Sequence, residues 1–191
     1  MTALTLALAC AATPPGTLAD RVVAVVDKQV ITMSELLTEA RVVLVYKEGE
    51  QVAAADIDEE LLRGLLDYVV NQVLVAAQAR RLGAGEVSEA DIDKEVQRFA
   101  HRFRSLDAYR AFLRRFDIGD EALRNIAQRN LRNDRFVAER MRLSLVADAG
   151  LDPSSPRYQQ ALKRWLDELR DAVELRLLGP TGELEVQGRG R

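Results

Sequence analysis

The sequence predicts a mostly helical protein with a small β-sheet, in which a strand near the N-terminus pairs with a strand near the C-terminus. The run Arg21–Val26 is rich in β-branched residues and too short for a helix of its own, which is typical of a strand. Apolar residues then recur at helical spacing over most of the chain, until Val173, Leu175 and Leu177 follow the period-two pattern of a strand. Because so apolar a strand does not stay unpaired, we expect these two regions to be neighbours in one sheet.

The first strand leads directly into a hairpin and a capped helix. Asp27 and Lys28 interrupt the apolar run, and Val30-Ile31 supplies a second short strand. Thr32 and Glu35 have the spacing of a capping box, in which each side chain accepts a hydrogen bond from the backbone amide of the other residue. The apolar positions of the helix that follows are Met33, Leu36, Leu37, Ala40, Val43 and Leu44.

The second helix has the widest apolar surface in the chain. We expect a loop at Glu48–Gln51 before it, Asp56 as its N-cap with Glu59 three residues later, and Gly83 and Gly85 just after its end. A stripe this wide predicts a helix that is buried on two sides. Its apolar positions are Leu61, Leu62, Leu65, Leu66, Val69, Val70, Val73, Leu74 and Ala77.

Three more helices are predicted before residue 147. Ser88 opens the third helix, Ser105 caps the fourth, and the fifth spans about Glu121–Val146 after a turn at 117–120. Asn130 and Asp134 interrupt the apolar stripe of the fifth helix, and we predict that they are paired polar groups at a helix seam. The apolar positions of the third helix are Ile92, Val96, Phe99 and Phe103, and those of the fourth are Leu106, Tyr109, Phe112, Leu113 and Phe116.

The last part of the chain carries one more helix and the C-terminal strands. Ala147–Pro156 has a low apolar content and is predicted to be a linker between a helical core, residues 20–146, and a C-terminal helix and strand, residues 157–191. Gly179–Gly182 predicts a turn that returns the chain through Leu184 and Val186.

Residues 1–19 are interpreted as a secretory signal and not as part of the fold. Residues 3–12 form an uncharged apolar run of the length of a signal-peptide core, too short to span a bilayer, and Ala19 ends a plausible cleavage site. The run lacks the usual basic start. Cys10 is the one cysteine of the chain, and its surroundings depart from a lipobox because the leucine is one position out of place, so we expect no lipid anchor and a periplasmic protein without disulfides.

Several classes of site are not indicated by the sequence. There is no P-loop, GxGxxG, HExxH or Gly-x-Ser-x-Gly motif, and His101 is the one histidine, so we expect no catalytic residue, no metal and no cofactor. Residues 98–142 contain 12 arginines and 6 acidic residues, and so basic a region could bind a nucleic acid. A secreted location argues against that partner and favours an adaptable cleft, lined by Arg stems and aromatic rings, for unfolded polypeptide.

The chain resembles the N-terminal domain of the periplasmic chaperone SurA and its relatives. The resemblance rests on the strand Val23–Asp27, the helix that opens Met33-Ser34-Glu35-Leu36, the second helix ending Arg81-Leu82-Gly83, and the helix 161–170 with the strand after it. It covers nearly all of residues 20–191. In that family one or two parvulin prolyl-isomerase domains normally lie between the long helix and the C-terminal helix, where this chain has about ten residues. The resemblance therefore implies a chaperone core without isomerase activity.

The expected function is ATP-independent binding of unfolded secreted or outer-membrane polypeptides in an apolar cleft. Two alternatives remain: a relative or accessory subunit of a prolyl isomerase, and an assembly factor that binds one folded envelope partner. Each predicted cleft residue also has a core role as its alternative, and Tyr46 and Phe136 are the better candidates because they lie outside the main stripes of their helices. The predicted cleft residues are Val42, Tyr46, Phe99, Phe103, Tyr109, Phe112, Phe136 and Met141.

Overall fold

The computed structural model describes residues 20–144, 152–179 and 183–188. Within them the chain forms four strands and seven helices. In chain order these are β1 (Val22–Val26), β2 (Gln29–Thr32), α1 (Met33–Lys47), α2 (Glu50–Ala54), α3 (Glu59–Arg81), α4 (Glu89–Ala100), α5 (Leu106–Arg115), α6 (Asp120–Ser144), α7 (Pro156–Asp171), β3 (Leu175–Leu178) and β4 (Leu184–Gly188). The predicted signal segment and residues 147–151 of the predicted linker lie outside the described residues, and the division into domains stays a prediction.

The sheet joins the two ends of the chain as the sequence predicts. Its strand order is β2-β1-β3-β4, and all three pairings are antiparallel. Val25 in the central strand β1 lies opposite Val30 on one side and Arg176 on the other. Asp27 makes the hairpin turn with a positive φ of 58°, and its amide donates to the carbonyl of Glu174 at 2.8 Å. β1 is therefore paired along both edges, and the predicted fold class is confirmed.

The capping box of α1 is also confirmed. The Thr32 amide donates to Oε2 of Glu35 at 2.9 Å, and the Glu35 amide donates to Oγ1 of Thr32 at 3.4 Å. The Asp20 carboxylate accepts hydrogen bonds from the amide and hydroxyl of Ser34 in the same turn. The start of the described chain is thus fixed against the first helix.

Two predictions for the region between α1 and α3 are wrong. The expected loop at Glu48–Gln51 gives way to the short helix α2, because Gly49 turns the chain at φ 91° and a new helix begins at Glu50. The N-cap of α3 is Asp58 and not Asp56: the Asp58 carboxylate accepts from the Leu61 amide at 2.8 Å. The chain is still extended at residue 55, after α2 ends, which moves the start of α3 toward the C-terminus.

The structure also corrects the predicted burial of Leu106 and Ala77 and the predicted pairing of Asn130 and Asp134. Leu106 is 55% exposed because it is the first residue of α5, and Ala77 of α3 is also exposed. Asn130 and Asp134 do not pair in the described structure. Asp134 is exposed, and the buried polar residue of α6 is Asn133, which is 2% exposed.

The core consists of two clusters that share α3. The larger cluster joins the sheet, α1, α3 and α4–α6, and includes Leu65, Val69, Val70, Val73 and Leu74 of α3. The smaller one packs Val75 and Ala79 of α3 against α6 and α7. This confirms that α3 is buried on two sides. Residues 145–155 separate α6 from α7, which is too short a stretch for another domain. Among the described helices, none is both long and apolar enough to cross a membrane.

Candidate functional site

The structure divides the eight predicted cleft residues between the two core clusters. Tyr46 and Tyr109 are half-buried and pack against the larger cluster. Phe136 and Met141 lie with Trp165 in the smaller cluster, which contains none of the other six. The remaining four, all buried in the larger cluster, are Val42, Phe99, Phe103 and Phe112. Six of the eight thus have the core position that was their alternative, and their use by a client polypeptide stays a prediction.

Six aromatic side chains form one continuous group, called here the aromatic cluster. It comprises Tyr46, Phe99, Phe103, Tyr109, Phe112 and Phe116. Phe99 is 1% exposed and lies at its centre, with ring centroids 5.4 Å from Tyr46, 5.5 Å from Phe103 and 6.2 Å from Tyr109. The rings meet edge-to-face or tilted, the geometries that aromatic pairs prefer. These contacts bury Phe99, Phe103 and Phe112 and cover part of the other three rings.

Arginines cover the outer faces of this cluster. The guanidinium carbon of Arg41 lies 4.3 Å from the Phe116 ring centroid, that of Arg115 lies 5.0 Å from the same centroid, and that of Arg102 lies 5.6 Å from the Tyr46 centroid. These are cation–π distances. The predicted combination of Arg and aromatic side chains is thus present, but these side chains pack against each other instead of lining an open cleft.

Tyr46 links α1 to α4 through its hydroxyl. The Tyr46 hydroxyl donates to Oε1 of Glu95 at 2.7 Å, and burial together with this carboxylate raises the pKa of Tyr46 far above its usual value. A cavity of about 20 Å³ lies beside Tyr46, Phe99 and Asn130. Oδ1 of Asn130 is buried and accepts no hydrogen bond from the described residues. A cavity of this size and polarity suits one water molecule and no larger ligand.

A polar seam joins α6 to α1 and α3. Arg129 of α6 forms an ion pair with Glu39 of α1, whose side chain is buried. Nδ2 of Asn133 donates to the carbonyl and to Oε1 of Gln72 on α3, at 2.9 and 2.7 Å. Sequence reasoning missed Asn133, although it lies seven residues after the buried Ile126 and therefore on the same helix face. The seam fixes how α6 packs, because a buried polar group is costly when its partner is lost.

An open apolar groove lies between α1, α2 and α3 and is called here the α1–α3 groove. Its volume is about 640 Å³, and its buried lining residues are Val43, Leu44 and Leu65. Val52 and Leu61, which are 45% and 36% exposed, form apolar parts of the rim. The polar lining consists of Lys47, Glu48, Asp58, Glu60 and the half-buried Tyr68. None of these groove residues is among the eight that the sequence predicted.

The wall of this groove formed by α2 is held by one arginine. Nη1 of Arg41 donates to the carbonyl of Ala53 at 2.6 Å and also to the carbonyl of Ala55. Ala53 is fully buried against α1. The short helix that the sequence analysis took for a loop is therefore a fixed wall of the groove.

Gly64 of α3 also lines the groove and leaves part of it unfilled. A Cβ atom built at Gly64 would meet no described atom within 4 Å apart from the adjoining backbone of its own helix, and the residue lies inside a regular helix. In the sequence, Gly64 is visible as a glycine inside a helical pattern, and such a glycine usually has a role in packing or in function. Here no neighbour requires the glycine for close packing.

Two other grooves are smaller and more polar. One of about 500 Å³ lies between α3, α7 and the sheet, where Arg170 forms an ion pair with Asp67 at 3.1 Å. Another of about 440 Å³ lies beside the β1–β2 hairpin and includes Lys28, Arg80 and Arg81. Both have a smaller volume and a less apolar lining than the α1–α3 groove, so they suit an apolar polypeptide less well.

The chain matches the family model described as SurA-like N-terminal domain over residues 3–137. The match contains the aromatic cluster, all residues of the α1–α3 groove and most of α6. No curated protein matches the chain.

Proposed function

Since this chain belongs to the SurA-like N-terminal domain family, we propose that it is an ATP-independent chaperone of the periplasm that holds unfolded secreted or outer-membrane polypeptides. Holding a client requires exposed apolar surface with polar edges, and no catalytic residue. The proposed signal at residues 1–19 supplies the route to the periplasm. In this proposal the chain binds its clients and does not isomerise them.

The α1–α3 groove is the observation that carries the proposal. Its floor is aliphatic, its rim is charged, and it is open at the surface of the protein. Burial of client side chains there contributes roughly 25 cal/mol per Å² of apolar area, while the ordering of a flexible client opposes it. The balance favours weak and exchangeable binding, which suits a chaperone that must release its client.

The predicted aromatic residues enter this proposal in a secondary role. Of that set we propose Tyr46 and Tyr109 as client contacts, because their side chains are only partly buried whereas the other six are buried. The buried members support the groove indirectly, since Phe99 and Val42 pack α1 in place.

The test is suppression of aggregation. An outer-membrane β-barrel protein is diluted from urea with and without this protein, purified from the periplasm of expressing cells, and light scattering is followed over time. The proposal requires scattering to fall in proportion to added protein in the absence of ATP. Unchanged scattering, with one folded partner recovered in stoichiometric amount by pull-down, would favour the assembly-factor alternative.

Mass spectrometry of the same sample tests the location. A periplasmic protein that begins at Asp20 is the expected result. A chain that retains residues 1–19 in the cytoplasm would contradict the proposed export.

A further inference from the structure

We propose that the α1–α3 groove takes an apolar segment of a client that has Lys or Arg on both sides, and that Gly64 determines how large a side chain the groove admits. This inference rests on the proposed function and specifies its substrate class. It is carried by three features of the groove: its size, the glycine on its wall and the charges on its rim.

The size of the groove fits a short piece of polypeptide. Its volume of about 640 Å³ lies within the range of about 300–1,000 Å³ that is common for sites that enclose small ligands. Such a site accommodates a few side chains and excludes a folded domain. The aliphatic floor formed by Val43, Leu44 and Leu65 selects apolar side chains.

Gly64 is not explained by the fold alone. Glycine is an unfavourable residue inside a helix, and α3 is a helix of 23 residues with Gly64 in its N-terminal half. Gly85, by contrast, has a φ of 74°, and a Cβ there would lie 2.8 Å from the Arg132 carbonyl. The fold therefore requires a glycine at position 85. At position 64 a side chain would change little except the free space of the groove.

The charges on the rim favour a basic client. Three acidic side chains, Glu48, Asp58 and Glu60, line the groove beside a single cation, Lys47. The Lys47 ammonium lies 5.6 Å from the Tyr68 ring centroid and is thus engaged with that ring. Within the described residues the three acidic groups form no ion pair, although Asp58 caps α3. A negatively charged rim around an apolar floor complements an apolar segment with basic ends.

The probe is a fluorescein-labelled peptide with a leucine-rich centre and lysines at both ends, compared with the same peptide carrying glutamates at both ends. Affinities are measured by fluorescence anisotropy at low salt. The wild-type protein should bind the lysine-flanked peptide about tenfold more tightly, because each rim charge acts with opposite sign on the two peptides. Equal affinities, or a preference for glutamate, would overturn the charge argument.

Substitutions at Gly64 test the size argument. Gly64→Leu should weaken binding of the lysine-flanked peptide by about tenfold or more, because the new side chain takes the place of one from the peptide. Gly64→Ala should stay within about threefold of wild type. Ala138→Leu adds a leucine at an exposed site on α6 and should leave affinity unchanged. If Gly64→Leu binds as wild type does, Gly64 does not set the size of the site.

A matched pair of charge reversals tests the rim. Glu60→Lys should abolish the preference for lysine ends, whereas Glu59→Lys, next to it in the first turn of α3 and outside the groove, should largely keep it. Equal effects of the two would point to long-range charge and contradict a site at the rim. If Gly64→Leu should fail to fold by circular dichroism, Leu61→Ala on the rim replaces it, with an expected loss of about threefold.

The aggregation assay separates this inference from the proposed function. If wild type and Gly64→Leu suppress aggregation equally, the protein is a chaperone whose clients bind elsewhere, and the inference fails alone. If wild type does not suppress aggregation, the proposed function fails. Suppression by wild type that is reduced in Gly64→Leu supports both.

Discussion

The aromatic cluster and the α1–α3 groove share helix α1 but differ in what covers their apolar surface. Val42 and Tyr46 of α1 face the aromatic cluster, where rings of α4 and α5 cover them. Val43 and Lys47 line the α1–α3 groove, which is open at the surface of the described structure. The first region is rich in aromatic side chains and closed, and the second is aliphatic and open. The comparison shows that an aromatic-rich stretch can be used mainly in packing, while a glycine in a helix can mark free space at the surface.

The largest expected effect comes from opening the closed region. Phe99→Ala should lower the free energy of unfolding by about 3–5 kcal/mol, because Phe99 is 1% exposed and three aromatic rings pack around it. Urea denaturation followed by circular dichroism measures this change. Leu106→Ala on the exposed start of α5 is the control and should change stability by less than about 0.5 kcal/mol.

A small effect of Phe99→Ala would break the comparison. It would mean that the aromatic cluster contributes little packing energy and is free to open toward a client. In that case the eight predicted cleft residues would again be the better candidate site.

The next effect concerns the seam between α6 and the groove-forming helix α3. Asn133→Ala should cost about 1–3 kcal/mol, because it removes the buried Nδ2 group that donates to the carbonyl and to Oε1 of the half-buried Gln72. Asn125→Ala, on the exposed face of α6, is the matched control and should be close to neutral. Equal urea midpoints for the two variants would show that the Asn133 hydrogen bonds do not hold α6 in place.

The sequence predicted the sheet and most helices because their signals are local. The capping box at Thr32, the caps Ser88 and Ser105, and the period-two pattern around Leu175 each lie within a few residues. The pairing of the chain ends followed from the need of β1 for partners on both edges. These features required no knowledge of distant contacts.

The candidate site was not predictable in the same way. Whether Phe103 lines a cleft or a core depends on the position of α5 relative to α4, which no local pattern specifies. The groove depends on α2, whose position is fixed by the hydrogen bonds from Arg41 to the backbone of residues 53 and 55. Gly64 was visible in the sequence, but its open surroundings appear only in three dimensions.

A substitution at Gly64 should have a smaller effect, and it should stabilise the protein where the substitutions at Phe99 and Asn133 destabilise it. Gly64→Ala should raise the free energy of unfolding by about 0.5–1 kcal/mol, because alanine is the better helix residue and its methyl group meets no neighbour. Gly85→Ala should instead destabilise, since it combines a positive φ with a close approach to Arg132. Thermal melts of the two variants decide the point. If Gly64→Ala destabilises as Gly85→Ala does, the glycine has a structural role and the groove is not free space.

The smallest expected effect is a pH dependence of stability that comes from the contact between α4 and α6. Asp91 on α4 forms an ion pair with Arg135 on α6 at 2.8 Å, and this hydrogen bond, together with one from Ser88, lowers the pKa of Asp91 to about 2. A carboxylate whose pKa is depressed by folding adds stability above its ordinary value of 3.8, and that stability is lost as the pH falls through about 2. Asp91→Asn should therefore melt below wild type at pH 5, with the difference closing toward pH 2.

A control for this measurement lies on α5. Asp107 is 95% exposed and 3.8 Å from Arg110, so Asp107→Asn should give nearly the same melting temperature as wild type at every pH. If the gap between wild type and Asp91→Asn is constant from pH 5 to pH 2, the effect is not the titration of this carboxylate. If it closes as expected, protonation of Asp91 weakens the attachment of α4, which carries Phe99, to α6, whereas the groove formed by α1, α2 and α3 contains neither partner of this ion pair.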